Sequence, residues 1–196
     1  MRTQLRAAVA IFAGLTLITG AVYPLSVTAI TQALFSWQAN GSVVQVDGRA
    51  VGSALIGQPF GDIGYFWSRP SATEPFAYNA AASAGSNLGP TNPMLLRLVQ
   101  ARVDALRASD PGNTLPIPVD LVTASASGLD PHISVAAALY QVPRVALARG
   151  LSVDQVTAIV WQQTEGRLFW VLGESRVNVL ALNLALDGKK SGNGLE

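Results

Sequence analysis

At 196 residues the chain suits one domain with a small appendage. Hydrophobic residues make up 49% and charged residues 13%, which points to a membrane segment, and a formal net charge of +1 leaves no basic surface of the kind nucleic acid requires. Cysteine is absent from the sequence, which removes disulfides, thiol catalysis, cysteine-ligated zinc and lipid anchoring through a cysteine.

The chain opens "MRTQLRAAVAIFAGLTLITGAVYPLSVTAITQALF", and no charge follows Arg6 until Asp47. A bilayer core needs about 20 apolar residues in a helix, so this stretch is long enough to span. Pro24 is expected to kink that helix or mark its exit, because it lacks an N–H and crowds the preceding turn. A signal peptide is the rival reading, with "VTA" ending at Ala29 as the cleavage site. The apolar run is longer than a signal needs and continues past Ala29, which favours a retained span over about residues 7–30. Arg2 and Arg6 precede the span, and the next basic residue is Arg49. Cytoplasmic flanks hold the excess of basic residues, so the amino terminus is expected inside and the rest outside. The expected organisation is a membrane anchor over residues 1–36 and an extracytoplasmic domain over residues 37–196. With 11 of the 13 basic residues and all 12 acidic ones, that domain is close to neutral.

Within the outer domain, Gly41 to Gln58 reads as a hairpin turning at Asp47-Gly48. Gly64 to Pro93 reads as a loop, yet it holds Tyr65, Phe66, Trp67, Phe76 and Tyr78, so it should be ordered against the domain or a partner. Asn92-Pro93 starts a helix with Leu95, Val99, Val103 and Leu106 as its apolar stripe, ending near Ser109. Arg102 on that stripe should snorkel past the core edge or pair locally. A turn-rich connection leads into the short apolar run Val119 to Val122. A further helix is expected from about Ile133 to Tyr140, interrupted at Pro143. Ser152 and Gln155 form a capping box for the next helix, with Val153, Val156, Val160 and Trp161 on its buried face. Leu168 to Leu172 reads as a buried strand. The run from Val177 to Asp187 is open between strand and helix, and its leucine and alanine content favours helix. The fold class is therefore mixed α/β (α+β), one transmembrane helix followed by a single domain.

The stretch "ASASGLDPHIS", Ala124 to Ser134, contains the sole histidine, His132, and invites a catalytic reading built on Ser125 or Ser127. A serine nucleophile needs a base, an orienting acid and an oxyanion hole, and groups this close in sequence seldom align productively. No nucleophile elbow is present, and the sole lysines, Lys189 and Lys190, lie near the carboxy terminus. The simpler reading is turn and cap chemistry, with Ser134 capping the next helix. One histidine and scattered carboxylates give no metal cluster, and no phosphate loop is present. An anchored hydrolase and a solute- or potassium-binding module remain the alternatives to a non-catalytic subunit.

Several segments carry a resemblance: "GSALIGQ", "YFWSRPSAT", "AGSNLGPTNP", "PVDLVTASASGLDPHIS", "QVPRVALARGLS" and "VNVLALNLALD". In this order, behind an amino-terminal membrane helix, they resemble the KdpC family of the bacterial high-affinity potassium-transporting (Kdp) ATPase. The resemblance implies an inner-membrane accessory subunit that does not hydrolyse ATP. Its implied partners are a channel-like potassium-selecting subunit, a P-type ATPase subunit and a very small membrane peptide. It implies a role described as a catalytic chaperone that raises the ATPase subunit's affinity for ATP. No cofactor is expected on this chain itself; ATP belongs to the ATPase subunit, and potassium is the transported ion. The segment invoked for nucleotide contact in the family resembles the "LSGGQ" of ABC transporters and corresponds here to "LSVDQ", nominating Ser152 and Gln155. Val153 and Asp154 replace both glycines, although close phosphate approach favours glycine and an aspartate repels phosphate. Tyr65, Phe66, Trp67 and Arg69 are the candidate contacts to partner subunits, because Trp, Tyr and Arg dominate buried interfaces.

Overall fold

The computed structural model describes residues 2–192, and the chain divides into two compact units, Met1–Val51 and Gly52–Glu196. The first unit is dominated by a continuous helix over Arg2–Leu34, long and apolar enough to cross a membrane. It consists of α1 (Arg2–Leu17), a π-helical turn (Ile18–Val22) and α2 (Tyr23–Leu34). Pro24 does not mark the exit, as the helix runs on for ten more residues to Leu34. The wide turn lies just before it, where the Tyr23 N–H donates to the Ile18 carbonyl five residues back. A π turn of this kind opens the helix where a proline ring would otherwise press on the carbonyl four residues earlier. Short α3 (Ser36–Ala39) follows, then the hairpin of β1 (Val43–Val46) and β2 (Arg49–Ser53). Asp47 and Gly48 both take positive φ, 50° and 74°, as a two-residue turn between twisted strands requires.

The second unit begins with the long loop and then α4 (Pro93–Ser109). The Asn92 side chain accepts from the Met94 N–H at 2.9 Å, and Pro93 fills the first helical position. Arg102 donates to the Val122 carbonyl at 2.8 Å, so it pairs locally as expected. Burial lowers its pKa from the usual arginine value. A single 3-10 turn (Val119–Leu121) leads to β3 (His132–Ser134), and α5 (Val135–Arg149) follows directly. Pro143 does not interrupt α5: its ring sits on the exposed side, while Val142, Arg144 and Val145 beside it are buried and hold the helix against the core.

Gly150, in the left-handed conformation, ends α5, and α6 (Val153–Gln162) begins with the expected capping box. The buried residues of α6 are Val156, Ile159 and Val160, whereas Val153 and Trp161 are exposed. Trp161 is turned well away from Val156 on a 3.6-residue wheel, and Val153 stands at the fringe of the first turn. β4 (Thr164–Glu165), β5 (Arg176–Asn178) and β3 form an antiparallel sheet in the order β3-β5-β4, with Ile133 and Thr164 each opposite Val177. α7 (Val179–Gly192) takes most of the stretch left open between strand and helix. Ala137, Val145, Val156, Val160, Leu182 and Leu186 form the centre of the core, together with Phe66 from the loop.

Leu168 to Leu172 is not a buried strand. These residues close a tight turn at the tip of the β4–β5 connection, with Leu168 and Leu172 bridged across it and positive φ at Phe169 and Trp170. The left-handed backbone at Phe169 and Trp170 reverses the chain within the run, so it cannot extend as a strand, and its side chains stand in solvent.

Candidate functional site

The aromatic loop is held by side chains of α5 and α7 that bond its backbone almost residue by residue. Arg144 donates from Nη1 to the Ile63 carbonyl and from Nη2 to the Tyr65 carbonyl at 3.0 Å. Arg149 donates from Nε to the Gly64 carbonyl at 2.5 Å. The Asn183 amide takes both polar groups of Phe66, accepting from its N–H at 2.9 Å and donating to its carbonyl at 3.0 Å. The Gln141 amide does the same for Trp67, at 2.8 Å and 3.2 Å. The loop thus has its backbone groups satisfied as a sheet strand would, but by side chains rather than by a ladder.

The rings complete the clamp. The Arg144 guanidinium lies 4.6 Å from the centre of the Trp67 ring, and that of Arg149 lies 4.5 Å from the centre of the Tyr65 ring, both cation–π geometries. Arg149 also pairs with Asp187 at 2.8 Å, and the Tyr65 hydroxyl donates to the same carboxylate at 3.1 Å. Among the described residues no carboxylate forms an ion pair with Arg144; Gln141 Oε1 at 2.8 Å and the loop carbonyls take that place. Burial pushes its pKa down to about 10, against the raising influence of Asp110 and Asp62, so it stays charged at neutral pH. Phe66 is wholly buried, while Tyr65 and Trp67 are half-buried.

Arg69 belongs to a second network. It pairs with Asp130 at 3.2 Å, joining the loop to the serine-histidine stretch. Ser71 donates to the Gly128 carbonyl at 2.7 Å, and the Ala84 N–H to the Ser127 carbonyl at 3.0 Å. Gly128 has φ of 67°, and a Cβ there would come within 2.5 Å of the Ala84 carbonyl oxygen, so the close approach of the two segments requires glycine. The His132 imidazole faces two carboxylates, Asp130 at 3.4 Å and Glu165 at 3.9 Å, rather than a hydroxyl. Ser127 Oγ accepts from the Leu129 N–H, and Ser134 caps α5 and donates to Asp120. Among the described residues no serine is therefore placed for activation by His132. Burial favours the protonated form of Asp130, but hydrogen bonds from His132 and the charges of Arg69 and His132 outweigh it and lower the pKa. Arg69, Asp120, Asp130, His132, Ser134 and Arg176 border a cleft of about 600 Å³. Among the described residues no group of three or more His, Asp or Glu side chains is placed to hold a metal ion.

Ser152 and Gln155 are exposed, and each is engaged by the other's backbone. Ser152 Oγ accepts from the Gln155 N–H at 3.2 Å, and the Ser152 N–H donates to Gln155 Oε1 at 2.9 Å. Both side chains therefore already serve the helix start. Gln141, Arg144, Arg149, Asn183 and Asp187 were not singled out from the sequence. The available signal was polar side chains spaced three or four apart, 141 with 144 and 183 with 187, on faces otherwise made of Val, Ala and Leu.

Comparison with known proteins follows the same stretch of chain. The family model described as KdpC, K+-transporting ATPase, c chain, matches residues 5–188. The potassium-transporting ATPase KdpC subunit of Methylibium petroleiphilum is 64% identical over 190 residues, covering 97% of this chain and all of the relative. The protein of the same name from Methylococcus capsulatus is 66% identical over 88% of this chain and 90% of its own length. That from Sorangium cellulosum is 62% identical over 97% of this chain and all of the relative.

Proposed function

The chain belongs to the KdpC family of the K+-transporting ATPase, and on that premise we propose that it is a non-hydrolytic accessory subunit that stabilises the assembly from the outer face of the membrane. The observation that carries this reading is the match over residues 5–188, which takes in most of the membrane-length helix and of the second unit. Arg2 and Arg6 ahead of the apolar span support an inside amino terminus, hence a periplasmic domain in a bacterial inner membrane. The partners are the channel-like subunit, the P-type ATPase subunit and the small membrane peptide. Interface contributions from the aromatic loop come from the exposed parts of Tyr65, Trp67 and Arg69, since Phe66 has no exposed surface to offer.

Any effect on ATP affinity is remote coupling: the subunit prefers one state of the pump and so shifts its equilibrium. The capping box supports this, because Ser152 and Gln155 are committed to backbone groups and Asp154 adds a negative charge at the same helix start. The test is the KM for ATP of the assembled ATPase carrying Ser152→Ala with Gln155→Ala. Remote coupling predicts a KM within about twofold of wild type once the subunit is shown to be present. A tenfold rise, about 1.4 kcal/mol, would mean direct contact.

A further inference from the structure

Past its last turn the membrane-length helix folds back on itself before the hairpin begins. α3 starts at Ser36, two residues after Leu34, and the Asn40 and Gln32 side-chain amides exchange hydrogen bonds of 3.1 and 3.4 Å. Asn40 Nδ2 also donates to the Ser36 carbonyl at 2.7 Å, and the Ser42 N–H donates to the Trp37 carbonyl at 3.0 Å. The Trp37 indole N–H donates to the Val43 carbonyl, again at 3.0 Å. Residues 35–43 thus pair these polar groups among themselves and with the last turn of α2. Their apolar side chains are left outside: Phe35 is 54% exposed, Trp37 51% and Val43 39%. No charged residue lies between Arg6 and Asp47.

We propose that residues 35–43 form a collar bedded in the headgroup layer of the outer leaflet, with lipid covering Phe35, Trp37 and Val43. The proposal rests on the reading of Arg2–Leu34 as a membrane span with its amino terminus inside. Length sets the depth of the collar. The 33 residues of that helix measure about 50 Å at about 1.5 Å each, against about 40–45 Å for a bilayer with both headgroup layers. A tilt of roughly 30°, within the range common for spans, puts Leu34 at the outer headgroups when Arg2 is at the inner ones. The Asn40–Gln32 pair then holds the collar at that level, beside the helix end. Polar groups satisfied within the chain suit a layer poor in water, and Trp is the residue type enriched there. Lipid fits better than a neighbouring helix, because the amides that would bond across to such a helix are already spent on each other.

The test uses the cysteine-free full-length chain with Ser36→Cys at an exposed position, labelled with nitrobenzoxadiazole and then assembled with the other chains of the ATPase. The assembly is placed in phosphatidylcholine–phosphatidylglycerol vesicles that contain phosphatidylcholine with a nitroxide either just below the headgroup or near the acyl-chain end. The shallow nitroxide is expected to quench the label at least about twofold more than the deep one, as a position at the interface requires. Quenching by neither nitroxide, whether the label is open to aqueous iodide or shielded by another chain, overturns the proposal, as does stronger quenching by the deep nitroxide. Leu15→Cys and Leu17→Cys, on opposite sides of the helix, separate the two levels. If the deep nitroxide quenches at either of these and the Ser36→Cys label fails the test, the collar falls and the span stands. If it quenches at neither, both fall.

Discussion

The aromatic loop and the β4–β5 tip contain similar residues and have opposite fates. The loop sequence "YFWSR" and the tip sequence "RLFWVL" each place Phe and Trp together beside an arginine. In the loop, arginines from α5 reach over the rings and bond the backbone, and Phe66 is drawn into the core. At the tip, Arg167 turns to Glu174 instead, and the rings remain in solvent. The difference lies in what the surrounding helices offer. α5 and α7 present Gln141, Arg144, Arg149 and Asn183 toward the loop, whereas among the described residues no helix bonds the backbone of the tip through its side chains. Aromatic content alone therefore does not separate an internal brace from an exposed tip; the fate of the neighbouring backbone groups does.

Substitutions sharpen this contrast, beginning with the clamp. Arg144→Ala should destabilise the solubilised full chain by roughly 4 kcal/mol, read from urea unfolding, because it leaves the Ile63 and Tyr65 carbonyls without their donor and removes the buried guanidinium that packs on Trp67. A loss under about 1 kcal/mol would mean that the loop is not held by this residue. Asn183→Ala should cost about 2–3 kcal/mol by the same measurement, since both polar groups of Phe66 lose their partner. Ser152→Ala should cost about 1 kcal/mol as the loss of a helix cap. Trp170→Ala, the counterpart at the tip, should change stability by less than about 0.5 kcal/mol, as expected for a side chain with so few neighbours.

The smallest effect concerns pH. Asp130 has a lowered pKa in the folded protein, so it contributes stability that is present above the usual carboxylate value near 3.8 and is lost as pH falls through its folded value. Asp130 is partly exposed, which limits the size of this contribution. Asp130→Asn should therefore flatten the decline in stability below about pH 4. An unchanged acid limb would remove the Arg69–Asp130 link from the account.

Local sequence signals located the elements whose causes are local. The membrane-length helix, the Asp47-Gly48 turn, the Asn92 and Ser134 caps and the Ser152–Gln155 box all follow from a few adjacent residues. The departures arise where distant packing decides. Pro143 is tolerated within α5 because its ring faces solvent and buried neighbours hold the helix on both sides. "LFWVL" has the composition of a buried strand, but nothing in its own sequence states that no layer covers it. The clamp was illegible for the same reason: Asn183 meets Phe66 across 117 residues, and no local rule joins them. Family resemblance supplied the functional class, while the residues that brace the loop emerged from the fold.

The central claim is an outer-face domain that acts on the pump without touching nucleotide. The most direct measurement is the side of the membrane on which "LSVDQ" lies. Asp154→Cys introduces the sole thiol of an otherwise cysteine-free chain at an exposed position. Outer-permeabilised cells are then treated with a thiol reagent that does not cross the inner membrane. Labelling in intact inner membranes is the predicted result and leaves only remote coupling to ATP. Protection until the inner membrane is lysed would place this helix start on the ATP side and contradict the account.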